Sequence, residues 1–266
     1  MPEPEARAIL GTGRSRDPDV PTTRENQLRD SIWWRPDRVS WWMGLLFAVG
    51  SACFALAAIA SQWASAPRPA IGVTYFVGSI FFTVAAYIQW RPASWKPRSS
   101  DWLASAIQLA GTLFFNVSTF EGMKRGFDAH ETNLRVWTPD VFGSICFLVS
   151  SELVYAGVCH RWVCVRVRSP SWRLAAVNLV GSIAFGVSAA TSLIEPSTQE
   201  PVSAAIANAG TAIGALCFLA GGIMLLPGAA EPSSRPGDEN APGLRLDGDL
   251  GAARGVAQPR PKERSR

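Results

Sequence analysis

Residues 39–62 read VSWWMGLLFAVGSACFALAAIASQ, with no charged side chain. A helix needs about 20 mostly apolar residues to cross the hydrocarbon core of a bilayer, and this stretch meets that length. At its centre is Gly50-Ser51-Ala52-Cys53-Phe54, and the pattern Gly, small residue, two variable positions, Phe recurs five times downstream. The other copies begin at Gly78, Gly111, Gly143, Gly181 and Gly214 and end at Phe82, Phe115, Phe147, Phe185 and Phe218. Each lies in a run of similar character. The spacing predicts spans at 39–62, 71–90, 102–121, 139–160, 172–194 and 201–226.

Backbone chemistry settles the type of span. In lipid every N–H and C=O must be paired within the protein, which leaves helices or a closed barrel. Barrel strands alternate apolar and polar residues, and these runs do not. The expected fold is therefore all-α and integral to the membrane, with six transmembrane helices as three parallel helical-hairpin repeats. The hairpins occupy 39–90, 102–160 and 172–226. Trp41, Trp102 and Trp172 each stand nine residues before Gly50, Gly111 and Gly181. Such parallel repeats are related by an axis along the membrane normal. Residues 1–38 and 227–266 are polar, rich in Pro and charged groups, and read as disordered tails.

The net charge of +4 follows topology rather than nucleic-acid binding. Of 25 Lys and Arg, all but Arg68, Lys124, Arg125 and Arg135 fall in the two tails or in the loops 91–101 and 161–173. The positive-inside rule then makes both termini cytoplasmic. The basic tails are expected to meet anionic inner-leaflet lipids. The tryptophans stand at or just beyond predicted span ends, as interfacial indoles do.

The motif glycines Gly50, Gly78, Gly111, Gly143, Gly181 and Gly214 point to close helix packing. Lipid supplies no hydrophobic drive between helices, so small residues that let backbones approach do that work. The segment Gly44-Leu-Leu-Phe-Ala-Val-Gly-Ser-Ala-Cys-Phe54, with Tyr75-Phe-Val-Gly-Ser-Ile-Phe-Phe82, resembles the hairpin of the YrhK-like family of small bacterial membrane domains. That resemblance implies a bacterial inner-membrane location and an uncharacterised family, and it transfers no catalytic residue.

Glu152 is eight residues from His160, about 12 Å into its predicted span. A carboxylate at such depth costs at least about 2.5–3.5 kcal/mol on insertion scales, so it is paired, hydrated or protonated. Gln108 and Asn178 lie about 9 Å deep in their spans. The three are expected to meet in one inner-leaflet layer as a candidate intramembrane polar site. They serve either as structural hydrogen-bonding groups or as the site of a small proton- or cation-linked transporter or channel.

The five cysteines lie mid-span or at the inner end of the fourth span, so no disulfide framework is expected. Cys159, His160 and Cys164 lack a fourth ligand for a metal. No hydrolase, phosphate-binding or metalloprotease motif is present. The sequence thus points to a multi-pass, non-enzymatic protein with a packing or interaction role, without catalytic residues, cofactor, metal or nucleic acid. Beyond the bilayer, the sequence leaves open a second copy or another membrane protein as partner.

Overall fold

The computed structural model describes residues 34–62, 67–93 and 99–227. Most of each predicted tail lies outside the described residues, as do Trp33, Trp63 and Trp95. The described chain contains six helices long and apolar enough to cross a membrane. They are α1 (Val39–Ala60), α2 (Arg68–Ala93), α3 (Ser100–Glu121), a composite of α4 and α5, α6 (Pro170–Thr191) and α7 (Ala204–Leu225). The composite runs from α4 (Ala129–Thr132) through a π-helical turn (Asn133–Trp137) into α5 (Thr138–Cys159). A helix of 22 residues, the length of α1, α3, α5, α6 and α7, is about 33 Å long and matches a hydrocarbon core of about 30 Å. The protein is a multi-pass membrane protein.

Helix starts are fixed by local chemistry. Ser99, Ser169 and Ser203 each accept a backbone N–H from the first turn of α3, α6 and α7. Asp128 and Glu131 form a reciprocal capping box at α4. That box begins the fourth helix at Ala129, ten residues ahead of the predicted start at 139. The intervening segment is therefore helix, not loop, and Trp137 lies inside it. The π turn has an identifiable cause. Pro139 has no N–H for the helical ladder, and the Thr138 hydroxyl and N–H both turn back to the Asn133 carbonyl.

The helices close a ring in the order α1, α2, α3, α5, α6, α7 and back to α1. The six motif glycines meet in three pairs within it. A Cβ on Gly50 would come 2.9 Å from the Gly78 carbonyl oxygen, one on Gly111 3.1 Å from that of Gly143, and one on Gly214 3.0 Å from that of Gly181. A further approach, between Gly44 and Gly222, joins α1 to α7: a Cβ on either would lie 2.7 Å from the other's carbonyl oxygen.

The motif phenylalanines fill the middle. Phe82 and Phe147 are 1% exposed, and Phe54, Phe115, Phe185 and Phe218 are also buried. Phe54, Phe115 and Phe185 stand 6.4, 6.3 and 6.0 Å apart in one three-membered set. Phe82, Phe147 and Phe218 form a second at 6.2, 6.1 and 5.4 Å. Rings within a hairpin touch across the sets at 5.3, 5.1 and 5.6 Å. Offset and edge-to-face rings at such separations attract beyond simple contact. The residue after each glycine is buried as well: Ser51, Ser79, Thr112, Ser144, Ser182 and Ala215.

Polar side chains join neighbouring helices above and below this knot. Asn116 donates to Thr83 at 2.8 Å and Ser79 pairs with Thr119 at 3.0 Å, linking α2 to α3. Ser151 pairs with Ser182 at 2.7 Å, linking α5 to α6. Such bonds average about 0.6 kcal/mol each in membrane proteins. Outward-facing residues such as Leu56, Val73, Leu113, Ile145 and Ile213 are exposed and apolar, as a lipid-facing surface requires.

One expectation is corrected. Cys159 and Cys164 form a disulfide, with Cα atoms 5.5 Å apart. His160 takes a left-handed conformation (φ 54°) that ends α5 and turns the chain back on itself, so Cys164 returns to the last turn of the helix. Spacing alone did not show that reversal. Tyr155 Oη and Trp172 Nε1 both donate to the Cys164 carbonyl, tying the turn to α5 and α6.

Candidate functional site

Among the described residues, one cavity lies on each side of the phenylalanine knot. One, of about 380 Å³, extends from the set of Phe54, Phe115 and Phe185 toward the end of the bundle away from the described termini. The other, of about 320 Å³, lies toward the opposite end, against Phe218 and Phe47.

The first, outer chamber is built by four devices. The π turn brings Trp137 and Asp140 to its wall. Tyr75 of α2 lines the same chamber as Asp140. Hydroxyls from α3, α5, α6 and α7 line the sides, among them Thr119, Ser144, Ser188 and Thr211. A two-stranded hairpin, β1 (Ile194–Glu195) against β2 (Glu200–Pro201), forms the rim. Asn133 docks this hairpin as a strand residue would. Its Nδ2 donates to the Ile194 carbonyl at 2.7 Å and its Oδ1 accepts the Ile194 N–H at 2.9 Å.

Asp140 is half-buried, and among the residues lining this chamber it is the sole carboxylate; none carries a cationic side chain. The hydroxyls nearby spend their protons within the protein. Thr119 donates to the Phe115 carbonyl at 2.7 Å, and Ser188 and Thr211, 2.7 Å apart, divide their two protons between their own contact and the Ala207 carbonyl, at 2.7 and 3.1 Å. Trp137 Nε1 donates to the Ala189 carbonyl at 2.8 Å. Asn208 and the Tyr75 hydroxyl add donors as well as acceptors to the lining, and Asp140 is its one charged acceptor.

The inner chamber holds two of the three polar residues picked out by the sequence. Gln108 and Asn178 line it together with Gln89 and Ser151. Gln108 Oε1 accepts a hydrogen bond from Ser150 at 3.3 Å, and Asn178 Oδ1 packs against Gly221. Glu152 lines neither cavity. It is half-buried on α5 and has no hydrogen bond or ion pair among the described residues. Adjacent positions on a helix lie about 100° apart, so Ser151 faces the interior while Glu152 is turned off it. Among the described residues, no group of three His, Cys, Asp or Glu is placed to hold a metal ion.

Comparison of the chain with protein-family models, curated proteins and solved structures finds no match.

Asp140 escaped sequence reasoning because it sat at the second residue of a span drawn from 139, where a carboxylate is unremarkable. The signal was present in Asp128-Ala-His-Glu131, a capping box that moves the helix start outward and leaves Asp140 well inside the helix.

Proposed function

We propose that this membrane protein binds a small solute in its outer chamber, and that it acts as a non-enzymatic binding or transport protein. The observation that supports this most is a preformed cavity of about 380 Å³, walled by aromatic rings, with one carboxylate in its lining. Ligand sites are typically concave, largely apolar cavities of about 300–1,000 Å³ carrying a few polar groups.

A partner-packing role has less support. The motif glycines are used inside the chain, each facing a helix of its own hairpin. A transport role routed through Glu152 also has less support, since Glu152 lines neither chamber. In our reading Asp140 takes the place proposed for Glu152, and Gln108 with Asn178 furnishes a neutral inner chamber.

The remaining assignments rest on sequence. The basic loops and tails argue for cytoplasmic termini, which puts the outer chamber on the far side of the membrane. The tails then lie against anionic lipids of the inner leaflet. The two phenylalanine sets and three glycine pairs favour three parallel hairpin repeats. The YrhK-like resemblance of the first hairpin favours a bacterial inner membrane.

A solute panel tests the binding reading. Butylammonium, butan-1-ol and butyrate share a chain and differ in charge. At constant ionic strength at least one should raise the Tm of the purified protein, because a ligand of the folded state stabilises it by mass action. Ala207→Leu, which fills a buried chamber-lining position, should lose that response. No Tm rise with any of the three at millimolar concentration would overturn the reading.

A further inference from the structure

We infer that the outer chamber selects a small organic ammonium ion, with the Asp140 carboxylate as its counter-charge and the aromatic walls as its apolar seat. This deepens the solute-binding reading and rests on it.

Charge comes first. Asp140 brings one acidic group to a lining without a cationic side chain. A half-buried carboxylate within a membrane span, with no cationic side chain in the lining, is completed by a ligand with a single positive charge, and an anion would be repelled. A divalent metal fits poorly. Such ions take six or more oxygen ligands, usually several of them carboxylates, and one acid stands here.

Hydrogen bonding points the same way. The protons of Thr119, Ser188, Thr211 and Trp137 are engaged within the protein, by backbone carbonyls and by the Ser188–Thr211 contact. A ligand that donates several hydrogen bonds finds acceptors in Asp140 and in the hydroxyl oxygens of that lining. A protonated amine donates up to three from one atom.

The walls complete the assignment. Tyr75 and Trp137 line the chamber with the acid, and Phe54, Phe115 and Phe185 form the floor. A cation within about 6 Å of an aromatic face is attracted by the ring quadrupole, more strongly once desolvated. The same rings cover the alkyl part of the ligand. A hydrated inorganic cation would gain less from such walls, because its water shell keeps it from them.

The test uses the purified full chain and the three solutes above, now comparing affinities and adding Asp140→Asn. Butylammonium should raise the Tm of the wild type at concentrations at least tenfold below those needed for butan-1-ol, and butyrate should have no effect. Asp140→Asn should lose the butylammonium response by tenfold or more, whereas Glu152→Gln should keep it. If butan-1-ol or butyrate stabilises the wild type and butylammonium does not, the ammonium assignment is overturned while the binding chamber stands. If none of the three acts, both fall. An equal response to butylammonium in Asp140→Asn overturns the assignment too. Should that variant fail to fold, the ranking of the three solutes on the wild type decides by the same criterion.

Discussion

Gly111 and Gly143 face each other across α3 and α5, each so placed that a Cβ would come within 3.1 Å of the other's carbonyl oxygen. The neighbours there are backbone, the Cys146 Cβ and the edges of two buried phenylalanine rings, which have little room to move. A Cβ on Gly111 would also meet Phe147 Cδ2 at 2.8 Å and Cys146 Cβ at 2.9 Å. The glycine therefore sets the spacing at which the phenylalanines interlock.

Gly111→Ala should accordingly destabilise the protein by about 1–3 kcal/mol, the usual cost of overpacking. Gly157→Ala supplies the contrast, because nothing lies within 4 Å of its added Cβ. That change should be neutral or stabilise by up to about 1 kcal/mol, as alanine loses less backbone entropy than glycine in a helix. Equilibrium unfolding in one detergent compares the two, and equal effects would deny that the motif glycines set a contact distance.

Phe147→Ala should cost more, about 3–5 kcal/mol, as expected for truncating a large buried aromatic ring. Phe147 touches Phe82, Phe115, Phe185 and Phe218, so its own set loses a member and the other set loses a packing partner. Phe114→Ala, on an exposed ring one residue earlier than the motif position of α3, should cost much less. Unfolding midpoints of the two variants give the comparison.

Most of this fold was legible in the sequence because the membrane imposes it. Six runs of sufficient length, with the Gly-to-Phe pattern repeated in each, place the helices and their buried face. What was not legible was what a one-dimensional hydropathy reading averages away. The fourth helix begins in a polar segment, 129–138, that hydropathy reads as loop, though its capping box is a purely local signal. The α1–α7 closure through Gly44 and Gly222 joins residues from opposite ends of the chain. No spacing rule connects them. Glu152 drew attention by its depth, but depth does not say which face of the helix a residue occupies. Ser151, one position earlier, is the side chain that reaches the inner chamber.

Asn133→Ala should release the rim hairpin without unfolding the bundle. It removes two hydrogen bonds, of 2.7 and 2.9 Å, to one backbone residue, worth together about 1–3 kcal/mol. Hydrogen exchange at the Ile194 amide should then accelerate by about tenfold or more, with the helix centres unchanged. Unaltered exchange at Ile194 would mean that the hairpin is held by something else.

The disulfide has a direct chemical readout. Alkylation of the denatured, unreduced protein should modify three thiols, those of Cys53, Cys146 and Cys217. After reduction all five cysteines should react. Reduction should also lower stability by about 2 kcal/mol, the loop-closure value for so short a loop. Five reactive thiols before reduction would show the pair open.

The sealed phenylalanine knot between two chambers is tested most directly by paired accessibility. Asn208→Cys lies in the outer chamber and Asn178→Cys in the inner one. Each is made in a background with Cys53, Cys146 and Cys217 changed to Ala, and treated with a small membrane-impermeant methanethiosulfonate. In right-side-out vesicles the reagent should modify position 208 and spare 178, and in inverted vesicles the reverse. A pattern exchanged between the two preparations would overturn the orientation alone. Modification of both positions from the same side, or of neither from either side, would contradict two water-accessible chambers set back to back on a closed knot.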